Sequence, residues 1–322
     1  MSLSHLDSSL SLERIREAYE FIPVVFRDSP QFVSEPLSRL LGCRLLCKVE
    51  CLNPIRSFKG RGASYFLARE GPTAEPLVTA SAGNFGQGLA YAARPYAQRL
   101  IIFAAVTADA EKVARMRALG AEVRLAGPDF DAAKEEARAF AGREKLRFVE
   151  DGREPAIAEG AGTIALELAR WPEPIDAFFV PVGNGALIGG VGRWMHAQAP
   201  GCRVIGVCAA GAPAMAQSWR SGQICTTATT ATAADTIAVR NPVPAALHEM
   251  RTAADEVATV GDDALREAVH RLHRELGLVV EPSGAAGLAA VLNGGSEYRD
   301  RLVAILISGG NLAPALIPSW LV

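Results

Sequence analysis

Lys59 stands in the segment NPIRSFKGRGA, Asn53–Ala63. A lysine amine, once desolvated and deprotonated, condenses with a carbonyl group to form a Schiff base. Lys59 follows the aromatic Phe58 and precedes Gly60, Arg61, Gly62 and Ala63. A surface lysine needs no such neighbours. A lysine that must approach a flat cofactor is served by them.

Three further segments carry matching chemistry. SAGNFGQG, Ser81–Gly88, follows an apolar run and opens a helical pattern. Its Ser81, Gly83 and Asn84 offer backbone N–H groups and short polar side chains, which suit a carboxylate at a helix N-terminus. A capped helix with a tight turn is the other reading. PVGNGALIGG, Pro181–Gly190, lies between the apolar run AFFV and a helical pattern. Gly183 and Gly185 let the backbone approach an anion closely, so a phosphate is the expected ligand.

That segment also reads G-x-G-x-x-x-G through Gly189, which raises dinucleotide binding. Such a site needs an acid closing the next strand to hold the ribose. The next strand, VIGVCAA from Val204 to Ala210, has none. The last segment is ILISGGN, Ile305–Asn311. Its Ser308 is an ordinary turn residue or a hydrogen-bonding group facing a cleft. A phosphate cradle, a carboxylate-type loop and a lysine beside an aromatic together point to a phosphate-bearing aldehyde acting on an amino acid. Pyridoxal phosphate fits all three, because its ring is an electron sink and a lysine is its usual protein partner.

These segments need a scaffold that brings them together. PLVTAS, RLIIFAAV, AEVRLAG, AFFVPVG, CRVIGVCAA and RLVAILISGG are short apolar runs, and most precede amphipathic helical patterns. Apolar strands between helices mean parallel sheets covered on both faces. The expected class is α/β, doubly wound, with ligands outside the carboxyl ends of the strands. No repeat at solenoid period is present. The segment Leu168–Phe178 is a Pro-containing connection. Thr226–Pro244 is a long Thr- and Ala-rich segment, solvated or lining a site.

The chain has 322 residues, enough for about two domains. With 49% hydrophobic and 21% charged residues it has the balance of a soluble globular protein. A net charge of −2 gives no electrostatic case for nucleic acid or an anionic membrane. The start MSLSHLDSSL has no basic segment followed by an apolar core, so no secretory leader is expected. Six cysteines then read as reduced thiols of a cytoplasmic protein. Cys43, Cys47 and Cys51 are spaced by four in a strand pattern without a histidine, which favours buried structural thiols over zinc. Leu302–Val322 is long enough to span a bilayer, but Gly309, Gly310, Asn311, Pro314 and Pro318 interrupt it. A buried strand, a turn and a C-terminal segment are expected there.

The motifs, in this order, resemble those of the tryptophan-synthase-β-like pyridoxal-phosphate enzymes of fold type II, above all threonine/serine dehydratases and serine racemase. The resemblance covers roughly Leu12 to Gly310. SFKGRGA is similar to the family's cofactor-lysine motif, which implies Lys59 as the Schiff-base lysine with Phe58 beside the ring. ASAGNFGQG resembles the substrate-carboxylate loop, which implies Ser81, Gly83 and Gln87 near the carboxylate and Asn84 on the cofactor's ring hydroxyl. VGNGALIGG matches the phosphate cup, implying Gly183, Asn184, Gly185, Ala186 and Leu187 as the cradle. Ser308 in SGGN matches the residue facing the pyridine nitrogen. EPSGAAGLAA, Glu281–Ala290, is a further family segment.

The resemblance also implies two doubly wound α/β domains, the smaller inserted in the larger. The expected division is a cofactor-binding domain of residues 1–70 and 151–322 and a small mobile domain of residues 71–150. Homodimers are usual in such families.

The chain departs from the family at several places. Asn184 and Ala186 replace glycines of the cup, and Phe85 stands where a histidine is common. Cys208 and Ala214 fall where divalent-cation sites of the family carry acids, so no metal site is expected. The chain stops soon after SGGN, so no C-terminal regulatory domain is expected.

The implied activity is an ammonia-lyase that eliminates water from a β-hydroxy amino acid such as threonine or serine, giving a 2-oxo acid and ammonia. Lys59 would act as general base on the α-proton. Racemisation, β-replacement of the cysteine-synthase type and a catalytically silent cofactor-binding protein are the alternatives. Serine racemase carries a serine as second proton carrier where this chain has Ala82, which favours elimination.

Overall fold

The computed structural model describes residues 8–81 and 83–321. Ala82, most of the N-terminal stretch read for a leader, and Val322 lie outside the described residues. Among the described residues ten strands form two sheets. They are β1 (Gln31–Val33), β2 (Arg44–Val49), β3 (Leu77–Ala80), β4 (Leu100–Ala104), β5 (Glu122–Leu125), β6 (Arg147–Phe148), β7 (Ala177–Pro181), β8 (Arg203–Ala209), β9 (Glu256–Val260) and β10 (Leu302–Ile307).

The larger sheet has the order β1-β2-β10-β7-β8-β9, and the smaller β5-β4-β3-β6. Every pairing is parallel except that of the short edge strand β1 with β2. The apolar runs are central because helices cover both faces, leaving no side for polar residues. All six side chains of β10 are buried. Val303, Ile305 and Ile307 join one hydrophobic cluster, and Leu302, Ala304 and Leu306 the other. The alternation is the two-residue period of a strand, and each large apolar side chain so buried contributes about 1.5–3 kcal/mol.

The last strand of the chain thus occupies the middle of the sheet, between β2 and β7. After it the backbone turns at Ser308–Gly310 and reaches the short helix Ile317–Trp320. No helix of the described residues is long and apolar enough to cross a membrane. All six cysteines are free. Cys47 lies on β2 while Cys43 and Cys51 flank it, and all three enter one buried cluster. Burial pushes the Cys47 and Cys51 thiols up to about 12, so they are poor nucleophiles.

Candidate active site

The carboxyl ends of β2, β3, β6, β7 and β10 deliver their following loops to one cavity. After β2 the chain makes a loop organised by Asn53. Its Oδ1 accepts from the N–H groups of Ile55 and Ser57, and its Nδ2 donates to the carbonyls of Glu50 and Ser57. The loop is stitched to the end of β10: Phe58 N donates to Ser308 O at 3.1 Å, and Gly310 N donates to Arg56 O at 2.8 Å. Lys59 then opens the helix Lys59–Glu70, beside the strand end that carries Ser308.

The helix Asn84–Ala93 follows β3 and packs closely on this start. A Cβ at Gly88 would lie 2.9 Å from the carbonyl oxygen of Lys59, so only glycine permits the approach. The helix Ala186–Gln198 follows β7 through Gly183–Gly185, and Gly185 has a left-handed φ of 101°. Surface helices such as Ala110–Ala118 and Phe130–Glu144 carry aspartate caps. The N-cap residues of the three helices that open on the cavity give no side-chain cap, although Ser81 Oγ accepts from Gly83 N at 3.1 Å and from Gly86 N at 2.9 Å at the start of the helix Asn84–Ala93. Their first-turn N–H groups, with the positive end of the helix dipole, suit an anion.

The cavity is lined by Phe58, Lys59, Ser81, Gly83, Asn84, the run Gly183–Leu187 and Ser308. Of the residues expected to hold the cofactor or substrate, Gln87 alone is not in this lining; it is buried, with Nε2 unpartnered. Phe85, noted in the sequence as a departure from the family, is in the lining, and Asp235–Val239 show that the Thr- and Ala-rich segment lines the cavity. Sequence reasoning missed Phe130, from a helix of the smaller sheet, and Asp151. Asp151 enters from the turn after β6, and its carboxylate accepts a hydrogen bond from Lys59 Nζ at 2.5 Å. β6 is only the two residues Arg147–Phe148, so no strand pattern in the sequence marked this position. Lys59 Nζ also lies 4.7 Å from the Phe58 ring centroid and 5.8 Å from that of Phe85.

A polar layer lies behind the lining. Asn84 Nδ2 donates to Glu281 Oε1 at 2.6 Å, and Asn84 Oδ1 accepts from Asn311 Nδ2 at 2.7 Å. Burial pushes the Glu281 carboxyl up to about 7, with Asp235 adding to the rise and Lys112, Asn84 and Lys59 opposing it. Lys112 Nζ donates to Asp235 Oδ2 at 2.5 Å, linking the smaller sheet's side of the cavity to the larger one's. Burial works against the charge on Lys112, but Asp235 and Glu281 outweigh it and raise its pKa.

Beneath Lys59, Arg61 is fully buried. It makes five hydrogen bonds to carboxylates and Thr163: to Glu50 at 2.8 and 2.9 Å, to Glu167 at 2.6 and 2.9 Å, and to Thr163 Oγ1 at 3.0 Å. Lys48 Nζ donates to Glu167 at 2.6 Å. Two cations thus balance two carboxylates in the interior. Burial raises the Glu167 carboxyl, but Arg61 and Lys48 outweigh that and hold it below its ordinary value. This network anchors the first turn of the lysine helix from its buried side.

The residues present fit pyridoxal phosphate. The uncapped turn Gly183–Leu187 suits the phosphate, Lys59 is a side chain 15% exposed at the cavity, and Ser308 and Asn84 are buried polar groups in its wall. Residues 25–309 match the sequence profile of the family described as pyridoxal-phosphate dependent enzyme. The chain is 34% identical over 305 residues to an L-threonine ammonia-lyase of Thermotoga maritima, covering 94% of this chain and 76% of that protein. Its fold superposes on the processed form of threonine deaminase isoform 2 from Solanum lycopersicum with a TM-score of 0.87 at 29% identity, covering 97% of this chain and 94% of that one. Maize serine racemase superposes with a TM-score of 0.87 at 27% identity, covering 96% of each.

Proposed function

The chain belongs to the pyridoxal-phosphate-dependent enzyme family, and from that premise we propose that it is an ammonia-lyase eliminating water from a β-hydroxy amino acid such as L-threonine or L-serine. The observation that carries this reading is the meeting of Lys59, the Gly183–Leu187 turn and Ser308 on one cavity, in a chain whose relatives include an L-threonine ammonia-lyase. Bound there, the cofactor supplies an electron sink that eases removal of the substrate's α-proton.

The protein's own groups divide the work. Lys59 would anchor the cofactor and, as a free amine, would act as general base on the substrate's α-proton. The N–H groups of Gly183–Leu187 would hold the phosphate, with Phe58 beside the ring and Asn84 on its hydroxyl. Ser308 would offer the ring nitrogen a neutral partner, which suits loss of the β-substituent. Ser81 and Gly83 receive the substrate carboxylate at the N-terminus of the helix Asn84–Ala93, with Gln87 behind them. The chain carries alanine at position 82, so the sequence offers no second proton carrier there for racemisation.

Residues 71–150, which carry the smaller sheet, form a mobile unit closing on the remainder, residues 1–70 and 151–322. The Lys112–Asp235 ion pair across the cavity supports that closure. The enzyme works as a cytoplasmic homodimer without a metal. Its six free thiols suit a reducing compartment. The exposed apolar run of Phe21, Val24 and Val25 offers a surface for a second copy.

The test is a panel of amino acids assayed for ammonia and 2-oxo acid, with chiral analysis of the remaining substrate. Release of both products from threonine or serine is expected. Racemisation outpacing 2-oxo acid formation would overturn the reading.

A further inference from the structure

Asp151 lies 92 residues from Lys59 in sequence, yet its Oδ2 accepts from Lys59 Nζ at 2.5 Å. Both side chains are largely shielded, Lys59 at 15% and Asp151 at 12% exposure, and both line the cavity. The second oxygen, Asp151 Oδ1, is buried without a hydrogen-bond partner. Gly152 holds the turn in place: its φ is 89°, and a Cβ there would meet Asn184 Cβ at 3.1 Å and Ala246 Cβ at 3.2 Å. The carboxylate is therefore fixed against the amine by the end of β6 and by the Gly183–Leu187 turn.

A surface ion pair of this kind contributes little, but a shielded one is worth more because water screens it less. A base that takes a proton in a shielded cavity must bear the resulting positive charge there. Among the described residues Asp151 is the carboxylate in direct contact with that amine.

We propose that Asp151 is a further catalytic residue, paired with Lys59 in proton transfer; this rests on Lys59 being the base of the reaction proposed above. As the substrate's Cα–H bond breaks and an Nζ–H bond forms, Lys59 becomes an ammonium, and Asp151 Oδ2 neutralises it without taking the proton. The electron pair left at Cα becomes the Cα–Cβ double bond as the Cβ–O bond breaks. The hydroxyl leaves as water with a proton returned by Nζ, and Lys59 and Asp151 end as they began.

The test compares wild-type holoenzyme with Asp151→Asn and Asp151→Glu. Cofactor loading is read by absorbance and by the mass of the borohydride-reduced Lys59 peptide. Turnover is read as kcat and KM for L-threonine with and without deuterium at Cα. Exchange of the α-proton of L-alanine in deuterium oxide is followed by NMR. Alanine has no leaving group, so its exchange reports proton transfer alone.

In Asp151→Asn the Lys59 adduct is expected to persist, with kcat down roughly 10²-fold and KM within about threefold. The isotope effect on kcat should rise, alanine exchange should fall by a similar factor, and Asp151→Glu should recover part of both. Unchanged kcat in Asp151→Asn overturns the pairing. So does lost kcat with unchanged alanine exchange, or lost cofactor loading in both variants, which would make Asp151 a cofactor anchor. Wild-type enzyme that exchanges alanine's α-proton but releases no ammonia from any β-hydroxy amino acid refutes the lyase reading and leaves the pair standing.

Discussion

Asn84 donates its side-chain amide to Glu281 over 2.6 Å, joining the helix at the end of β3 to a segment 197 residues further on. Glu281 is buried, its Oε2 has no partner, and burial pushes its carboxyl from 4.5 up to about 7. Between those values the folded protein holds a proton that the unfolded chain has released. Stability attributable to this group therefore falls as pH rises from about 4.5 to about 7, and the loss is complete above that.

Glutamine keeps the acceptor for Asn84 and cannot ionise. Glu281→Gln should match wild type in thermal unfolding near pH 4.5. At pH 8 it should be more stable, on the order of 3 kcal/mol for a shift of this size. Equal melting temperatures at pH 8 would show that Glu281 is not held neutral by the fold.

Lys59→Ala should lose turnover by several orders of magnitude, since it removes both the anchor and the base. Borohydride reduction of the cofactor-loaded wild-type protein should place the adduct on Lys59. An adduct mapped to another lysine would displace Lys59 from its assigned role.

Gly185 combines a φ of 101° with near contacts: a Cβ there would lie 3.1 Å from Ala246 O and 3.2 Å from Met215 Cε. Gly185→Val forces a β-branched residue into the left-handed region and shifts the turn meant for the phosphate. The cofactor's dissociation constant, measured by titrating absorbance or fluorescence, should rise at least about tenfold for each 1.4 kcal/mol so lost. Unchanged affinity would move the phosphate elsewhere.

Arg61→Met removes one cation from the buried group and leaves Glu50 and Glu167 with Lys48 as the remaining internal cation. Breaking a buried pair in this way costs about 3–5 kcal/mol. Urea unfolding should show a loss of that order. A loss below about 1 kcal/mol would mean that the interior repacks or admits water around the carboxylates.

Much of this was legible in the sequence because the large elements are strongly patterned. β7, β8 and β10 are unbroken apolar runs, and the turns after β3, β7 and β10 carry the glycines and short polar residues that the site uses. The strands β1, β6 and β9 were not anticipated. β1 and β6 span three and two residues, and β9 is an edge strand buried only at Val257 and Val260. Asp151 was hidden for another reason. Its contact with Lys59 depends on how the two sheets sit against each other, which no local pattern encodes. The Arg61 network was equally silent, because its four charged members come from three separate stretches of chain.

The central place of β10 has a consequence for biosynthesis. Until Leu302–Ile307 emerge, β2 and β7 have no common neighbour, and Phe58 lacks the Ser308 carbonyl that fixes the start of the lysine helix. At typical rates of roughly 5–20 residues per second, the stretch of about 250 residues separating Lys59 from β10 takes roughly 12–50 s to translate. From the emergence of β7 until that of β10 the nascent chain carries two apolar fragments of the larger sheet with open inner edges, each a template for mispairing. Lys59 is made early and gains its neighbours late, so assembly of the cavity waits on β10.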